Sequence, residues 1–264
     1  MPSHLSSIGL PINDPVEFTQ LIEKLAASAS PADIPAASYL TWSSSCGAEV
    51  WIQLDRAGDI IGVNPYFAGQ SSVTVGLTAR ISRDNDSPLD GAFQGWANPH
   101  DSKSDAEGDY PFVFDVVDGA RYRHLAIPSR TKARIAAFAH EVTTYRSVDE
   151  YDRLATDGVK FASRSFIPSG LFTPAGDRTV PPEAHAIFTG HIAASSIKTS
   201  DLTGANYFWA LVDSLGAIFD VVIDPEICTT EPQVGGVLTG SFWLSARLME
   251  FVEEKPSMWN RMFG

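Results

Sequence analysis

Ser87-Pro-Leu-Asp-Gly-Ala-Phe-Gln-Gly-Trp-Ala97 and Ser200-Asp-Leu-Thr-Gly-Ala-Asn-Tyr-Phe-Trp-Ala210 align without a gap and share six of eleven positions. A β-rich run with a glycine precedes each, Val73 to Ile81 and Ile187 to Ser195. Phe-Asp-Val-Val follows each, at 114–117 and again at 219–222. A further β-like run closes each stretch, 132–142 and 237–244. Shared order with near-identity predicts a duplicated unit, about 72–145 and 184–248, with an insertion near 98–110. Leu-x-Gly-Ala reads as the turn of the first hairpin, which puts Gly91 and Gly204 where a positive φ is favoured.

The unit reads β-turn-β-turn-β-long connection-β. Its last strand in the second copy, Val-Gly-Gly-Val-Leu-Thr-Gly-Ser-Phe-Trp-Leu-Ser at 234–245, is glycine-rich enough to bend or bulge. This pattern resembles an OB-fold or a related small Greek-key barrel, and a split sandwich made by both copies is the alternative. The expected fold class is therefore α+β, with an N-terminal unit followed by two small antiparallel barrels.

The N-terminal unit reads as βαβββ. Ser6 to Ile12 alternates like a strand. Asn13-Asp14-Pro15 supplies a cap and an early-helix proline, and Phe18, Leu21, Ile22 and Leu25 follow at helical spacing. Strands are predicted at 38–43, 49–54 and 60–67, separated by turn-like stretches. Between the repeats, Ser147 caps a short helix with an acidic first turn. The stretch 161–166 can form a strand, and 168–182 reads as a connecting loop. A short helix is expected over 246–254. The domain plan is 1–70, 71–160, a linker at 161–183, 184–250, and a tail at 251–264.

With His4-Leu-Ser-Ser-Ile-Gly-Leu-Pro-Ile-Asn-Asp-Pro at its front, the βαβββ order is similar to one half-module of the glyoxalase (vicinal oxygen chelate) superfamily. The resemblance covers about a quarter of the chain. It implies a divalent-metal site with a His on the first strand and a Glu late in the last strands. His4 matches the first position. The second is displaced: the residue four after Gly47 is Trp51, and Glu49 lies between them. Taken whole, the chain resembles a conserved bacterial protein family through Phe-Ile-Pro-Ser-Gly-Leu-Phe at 166–172 and Ser-Phe-Trp-Leu-Ser at 241–245. That resemblance implies neither an activity nor catalytic residues.

The chain has 264 residues, 44% of them hydrophobic and 19% charged, with a net charge of −13. That is enough apolar material for a core. The acidity argues against nucleic acid and anionic membranes, and residues 185–245 hold one Lys against six Asp and Glu. No run of about 18 apolar residues occurs, which argues against a membrane span. Cys46 and Cys228 make no disulfide framework. The start of the chain lacks the apolar stretch of a signal peptide, so a cytoplasmic location is expected.

Phosphate-loop and esterase-elbow motifs are absent. The acidic loop Asp101 to Asp109 fails the EF-hand pattern, because Lys103, Ala106 and Phe112 stand at diagnostic positions. Asp115 and Asp220 fall at the same place in the two copies; they either face each other across a cleft, or each caps a turn or lies on the solvent face opposite Phe114 and Phe219. Trp96 and Trp209 are likewise repeated. They are either stacking platforms for a ligand or keystones of each core. The expected function is a non-enzymatic binding or assembly protein for a protein or small-molecule partner. A metal-dependent enzyme of the glyoxalase type, using His4 and Glu49, is the alternative. The apolar tail with Met258, Trp259, Met262 and Phe263 makes a homodimer an expectation.

Overall fold

The computed structural model describes residues 3–100, 107–155, 160–172, 180–228 and 230–251. The apolar tail and most of the acidic loop lie outside them. The described residues are mostly β, with two α-helices and two sheets among them. Among the described residues no helix is long and apolar enough to cross a membrane.

The chain opens on a 3-10 turn at Ser6–Ile8, not on the expected strand. Ile8, Leu10 and Ile12 alternate like a strand, but Leu5, Ile8 and Leu10 are all buried as anchors of an irregular segment. Gly9, at φ 75, closes the turn by donating its N–H to Ser6 O. Helix α1 (Pro15–Ser28) follows, and the Asp14 carboxylate accepts from the N–H groups of Val16 and Glu17. Proline at the first position suits this start because its missing N–H has no partner there. The first sheet is an antiparallel meander of β1 (Ser30–Pro31), β2 (Ser38–Ser43), β3 (Ala48–Leu54) and β4 (Ile60–Phe67). The observed order is thus αββββ where βαβββ was expected.

The second sheet holds nine strands: β5 (Val73–Ile81), β6 (Ala92–Ala97), β7 (Pro111–Val116), β8 (Ser129–Tyr145), β9 (Ser165–Ile167), β10 (His185–Thr199), β11 (Asn206–Asp213), β12 (Ile218–Ile223) and β13 (Val237–Phe251). Helix α2 (Val148–Leu154) follows β8, and Ser147 Oγ caps it by accepting from Glu150 N–H. The helix expected over 246–254 is absent at its start, because β13 runs on to Phe251. Leu244, Ala246 and Leu248 alternate into the core, and the ladder with β8 continues to Phe251↔Thr131. That pairing outweighs the helix propensity of Ala-Arg-Leu-Met-Glu.

The two long strands β8 and β13 pair antiparallel and organise the sheet. β5 pairs with the start of β8, and β10 with the start of β13. β7 runs parallel to the middle of β13 (Asp115↔Ser245), and β12 parallel to the middle of β8 (Val222↔Phe138). The ladders therefore close on themselves twice, once on each side of the β8–β13 pair. Strands from 71–160 and from 184–250 thus share one sheet and one core.

The bulge in β5 between Leu77 and Ala79 has its counterpart in β10 between Ile192 and Ala194. Aligned on these bulges, Gln94 matches Leu211. Trp209 then falls opposite the place of Ala92, and Trp96 opposite that of Asp213. The identical tryptophans do not coincide: Trp96 pairs with Gly76 and Pro111, Trp209 with Ser196 and Val222. Trp209 is buried and Trp96 half-buried. Gly204 has the expected positive φ, but Gly91 does not. Gly91 is needed for space, since a Cβ there would sit 2.7 Å from Gly119 Cα.

Strand β8 is buried on both faces. Ile135, Ala137 and Ala139 enter the core of the second sheet, which includes Phe188, Phe219 and Phe242. Ala136 and Phe138 point the other way, into a second core with α1 and the four-stranded sheet.

Candidate functional site

Strand alternation turns one face of β7 and β13 away from the main core. Phe112, Phe114 and Val116 face the core, so Asp115 faces out; Phe242, Leu244 and Ala246 do the same for Trp243 and Ser245. A cavity of about 110 Å³ lies over this face, lined also by Asn64 of β4 and by Arg83, Asp86 and Asp90 of the loop after β5. The close approach of Gly91 to Gly119 lets that loop settle.

Hydrogen bonds from several elements fix the charged groups. Asp115 accepts from Arg83 Nη1 at 2.9 Å and from Trp243 Nε1 at 2.7 Å. Burial pushes the Asp115 carboxyl up, and the Arg83 guanidinium and the Trp243 N–H oppose that rise. Asp90 accepts from Gln53 Nε2 at 2.6 Å, Asn64 Nδ2 at 3.1 Å and Ser87 N–H at 2.8 Å. Asp86 accepts from the Arg83 backbone N–H at 2.7 Å. Arg83 Nε donates to Pro182 O at 3.1 Å, while its Nη2 has no partner among the described residues.

Of the candidate site residues His4, Glu49, Trp96, Trp209, Asp115 and Asp220, only Asp115 lines this cavity. Asp220 is buried in a separate network, accepting from Trp209 Nε1 at 2.8 Å and Ser71 N–H at 2.6 Å. The two aspartates therefore do not face each other across one cleft. Trp209 is covered by Lys198, whose Nζ lies 5.3 Å from its ring centre.

His4 stacks on Trp243, with centroids 4.3 Å apart, and its Nε2 lies 2.7 Å from His140 Nε2. Burial, then His140 and His185, push the His4 imidazole down to about 4. Glu49 has different neighbours: it accepts from Trp51 Nε1 at 3.0 Å and lies 3.7 Å from Arg247 Nη1. Among the described residues, no group of three or more His, Cys, Asp or Glu is placed to hold a metal ion. Cys46 and Cys228 are free thiols. Asp109, at the end of the acidic loop, binds Asn98 and His100.

Arg83, Asp86, Asp90 and Trp243 were missed in the sequence. A signal was present, because Arg83-Asp-Asn-Asp-Ser-Pro-Leu-Asp90 is densely charged and directly precedes the repeated Gly-Ala. No known family model, no curated protein and no solved structure matches this chain.

Proposed function

We propose that the chain is a binding module for a small polar molecule, held in the cleft between the four-stranded sheet and the face of β7 and β13. The observation that carries this is the mixed lining of one small cavity. Asp90 and Asp115 offer acceptors, Asn64 offers both kinds of group, and the Arg83 guanidinium retains an unpaired donor. A buried donor without a partner is costly, so an acceptor arriving beside Arg83 is favoured. The ligand is small, because the cavity falls below the roughly 300–1,000 Å³ of drug-sized sites. It carries a donor for a carboxylate and an oxygen acceptor, as a small amino acid or polyol does.

Binding is favoured over catalysis by the state of the hydroxyl in the wall. Ser245 Oγ donates to Pro65 O at 3.3 Å, so it is not paired with a base. The scaffold is read as two copies of a four-strand unit, small OB-like barrels that lend each other their last strand. The matching ladders support this; the tryptophans count against it, because the ungapped match that pairs Trp96 with Trp209 is out of register with those ladders.

Thermal melts against small amino acids, polyols, amines and carboxylates test the proposal. A ligand at a hundred times its Kd stabilises by about 2.7 kcal/mol. A compound with both a donor and an acceptor is expected to raise the melting temperature of the wild type, and not that of Arg83→Gln or Asp90→Asn. No shift with any compound, or equal shifts in the variants, overturns it.

A further inference from the structure

Beyond the cleft, β13 carries a second polar feature two residues further along the same face. Arg247 lies past Ser245, at the edge of an open groove of about 460 Å³ that it shares with Arg121, Trp51 and Glu49. The groove runs beside β2 and β3. The Arg247 guanidinium sits 5.0 Å from the centre of the Trp51 ring, which is buried beneath it. Among the described residues its one ion pair, to Glu49, is 3.7 Å long, beyond hydrogen-bond range. Among the described residues the Arg247 side chain makes no hydrogen bond, so all five of its donors remain available.

Arg121 is differently placed. Its Nε donates to Asp118 Oδ2 at 3.1 Å and its Nη2 to Asp33 O at 3.2 Å, which anchors the side chain and leaves Nη1 over. The carboxylates nearby are partly engaged: Asp118 Oδ1 has no hydrogen-bond partner among the described residues and its charge acts on Arg247, and Asp33 also borders the groove. Asp118 also accepts from Tyr122 Oη at 3.1 Å, and Glu49 accepts from the Trp51 indole. Two guanidiniums thus border one groove in a chain whose net charge is −13.

We infer that this groove is an oxyanion site, in which Arg247, held over the Trp51 ring, grips a carboxylate or phosphate group two-pronged while Arg121 contributes a second donor. A planar guanidinium matches such a group with two parallel N–H···O bonds, and holding it on an aromatic face reduces the ordering cost. Glu49 competes for the same guanidinium without closing on it, so it weakens the site instead of forming it.

The test is isothermal titration of the full chain at low salt with two probes, inorganic phosphate and succinate, which separate the phosphate source from the carboxylate source. At least one is expected to bind one to one, and to weaken as salt rises. Arg247→Met and Arg247→Lys are each expected to weaken binding about tenfold or more, since Lys keeps the charge and loses the fork. Glu49→Gln is expected to tighten binding several-fold, a gain that misfolding does not mimic, because Gln still accepts from Trp51. Asp90→Asn in the cleft leaves the groove unchanged, so failure of the groove and failure of the cleft are told apart. Absence of binding by both probes, wild-type affinity in Arg247→Lys, or weaker binding in Glu49→Gln each overturns the inference.

Discussion

The Nε2 atoms of His4 and His140 lie 2.7 Å apart, in rings stacked with their centroids at 5.0 Å. One nitrogen donates and the other accepts, so the pair is compatible with two neutral rings. Protonating both would drive two cations together. Burial lowers both imidazoles; His185 lowers them further, while Glu141 partly offsets this at His140. His185 itself is paired with Glu183 at 3.0 Å. An unfolded His titrates near 6.5 and folded His4 near 4. The unfolded chain therefore binds more protons in this window, and stability falls as pH drops from about 6.5 toward 4. Urea melts at pH 7 and pH 5 should differ by about 2 kcal/mol from His4 alone. His4→Gln should flatten that slope; an unchanged slope would show that the pair is not neutral in the fold.

Asp115 holds Arg83 and Trp243 together, and its two bonds are not equivalent. Trp243→Phe removes one N–H and keeps the ring that stacks on His4. A hydrogen bond to a charged group contributes about 1.5–3 kcal/mol, so a loss in that range is expected in denaturant melts. Asp86→Asn should cost less, since Arg83 Nη1 is 4.0 Å from Asp86 but 2.9 Å from Asp115. A larger loss at Asp86 would mean that Asp115 is not the anchor of the loop.

Helix α1 and strands β2 to β4 were legible because caps, helical spacing and turn glycines act within a few residues. The N-terminal strand was not, since Ile8, Leu10 and Ile12 alternate while packing as irregular anchors. The end of β13 was misread for the opposite reason. Its local propensity is helical, and only its partner β8, about a hundred residues away, makes it a strand. The candidate site was harder still. Asp115 was visible through the repeated Phe-Asp-Val-Val, but Arg83 and Asp90 meet it only through a loop whose path depends on Gly91 passing Gly119. The repeat suggested that Asp115 and Asp220 were partners. Register instead matches Asp115 with Val222, an offset that no ungapped alignment displays.

The two turn glycines should respond differently to alanine. At Gly204, φ is +74 and nothing lies within 4 Å of a Cβ, so only backbone strain of about 1–2 kcal/mol is expected. At Gly91 the backbone is not left-handed, but a Cβ would lie 2.7 Å from Gly119 Cα and 3.0 Å from Val116 Cγ2. Overpacking there typically costs about 1–3 kcal/mol, and it displaces the loop that carries Asp90. Gly91→Ala should therefore reduce both stability and ligand binding in the cleft, whereas Gly204→Ala should reduce stability alone. Equal binding by the two variants would separate the cleft from the Gly91–Gly119 contact.

The repeated tryptophans should also part company. Trp209 is 7% exposed, packs with Phe67 at 6.4 Å, and donates its N–H to buried Asp220. Truncating it to Ala removes a large buried ring, at a cost of about 3–5 kcal/mol, and also strips Asp220 of a partner. Trp209→Phe keeps most of the ring and isolates the second effect. Trp96 is half-buried and pairs through its backbone with Gly76 and Pro111, so its loss should be markedly smaller. Parallel urea melts of Trp209→Ala, Trp209→Phe and Trp96→Ala give the ranking, with Trp209→Ala expected to be the worst of the three. If Trp96→Ala is as damaging as Trp209→Ala, the two residues play equivalent core roles despite their different registers.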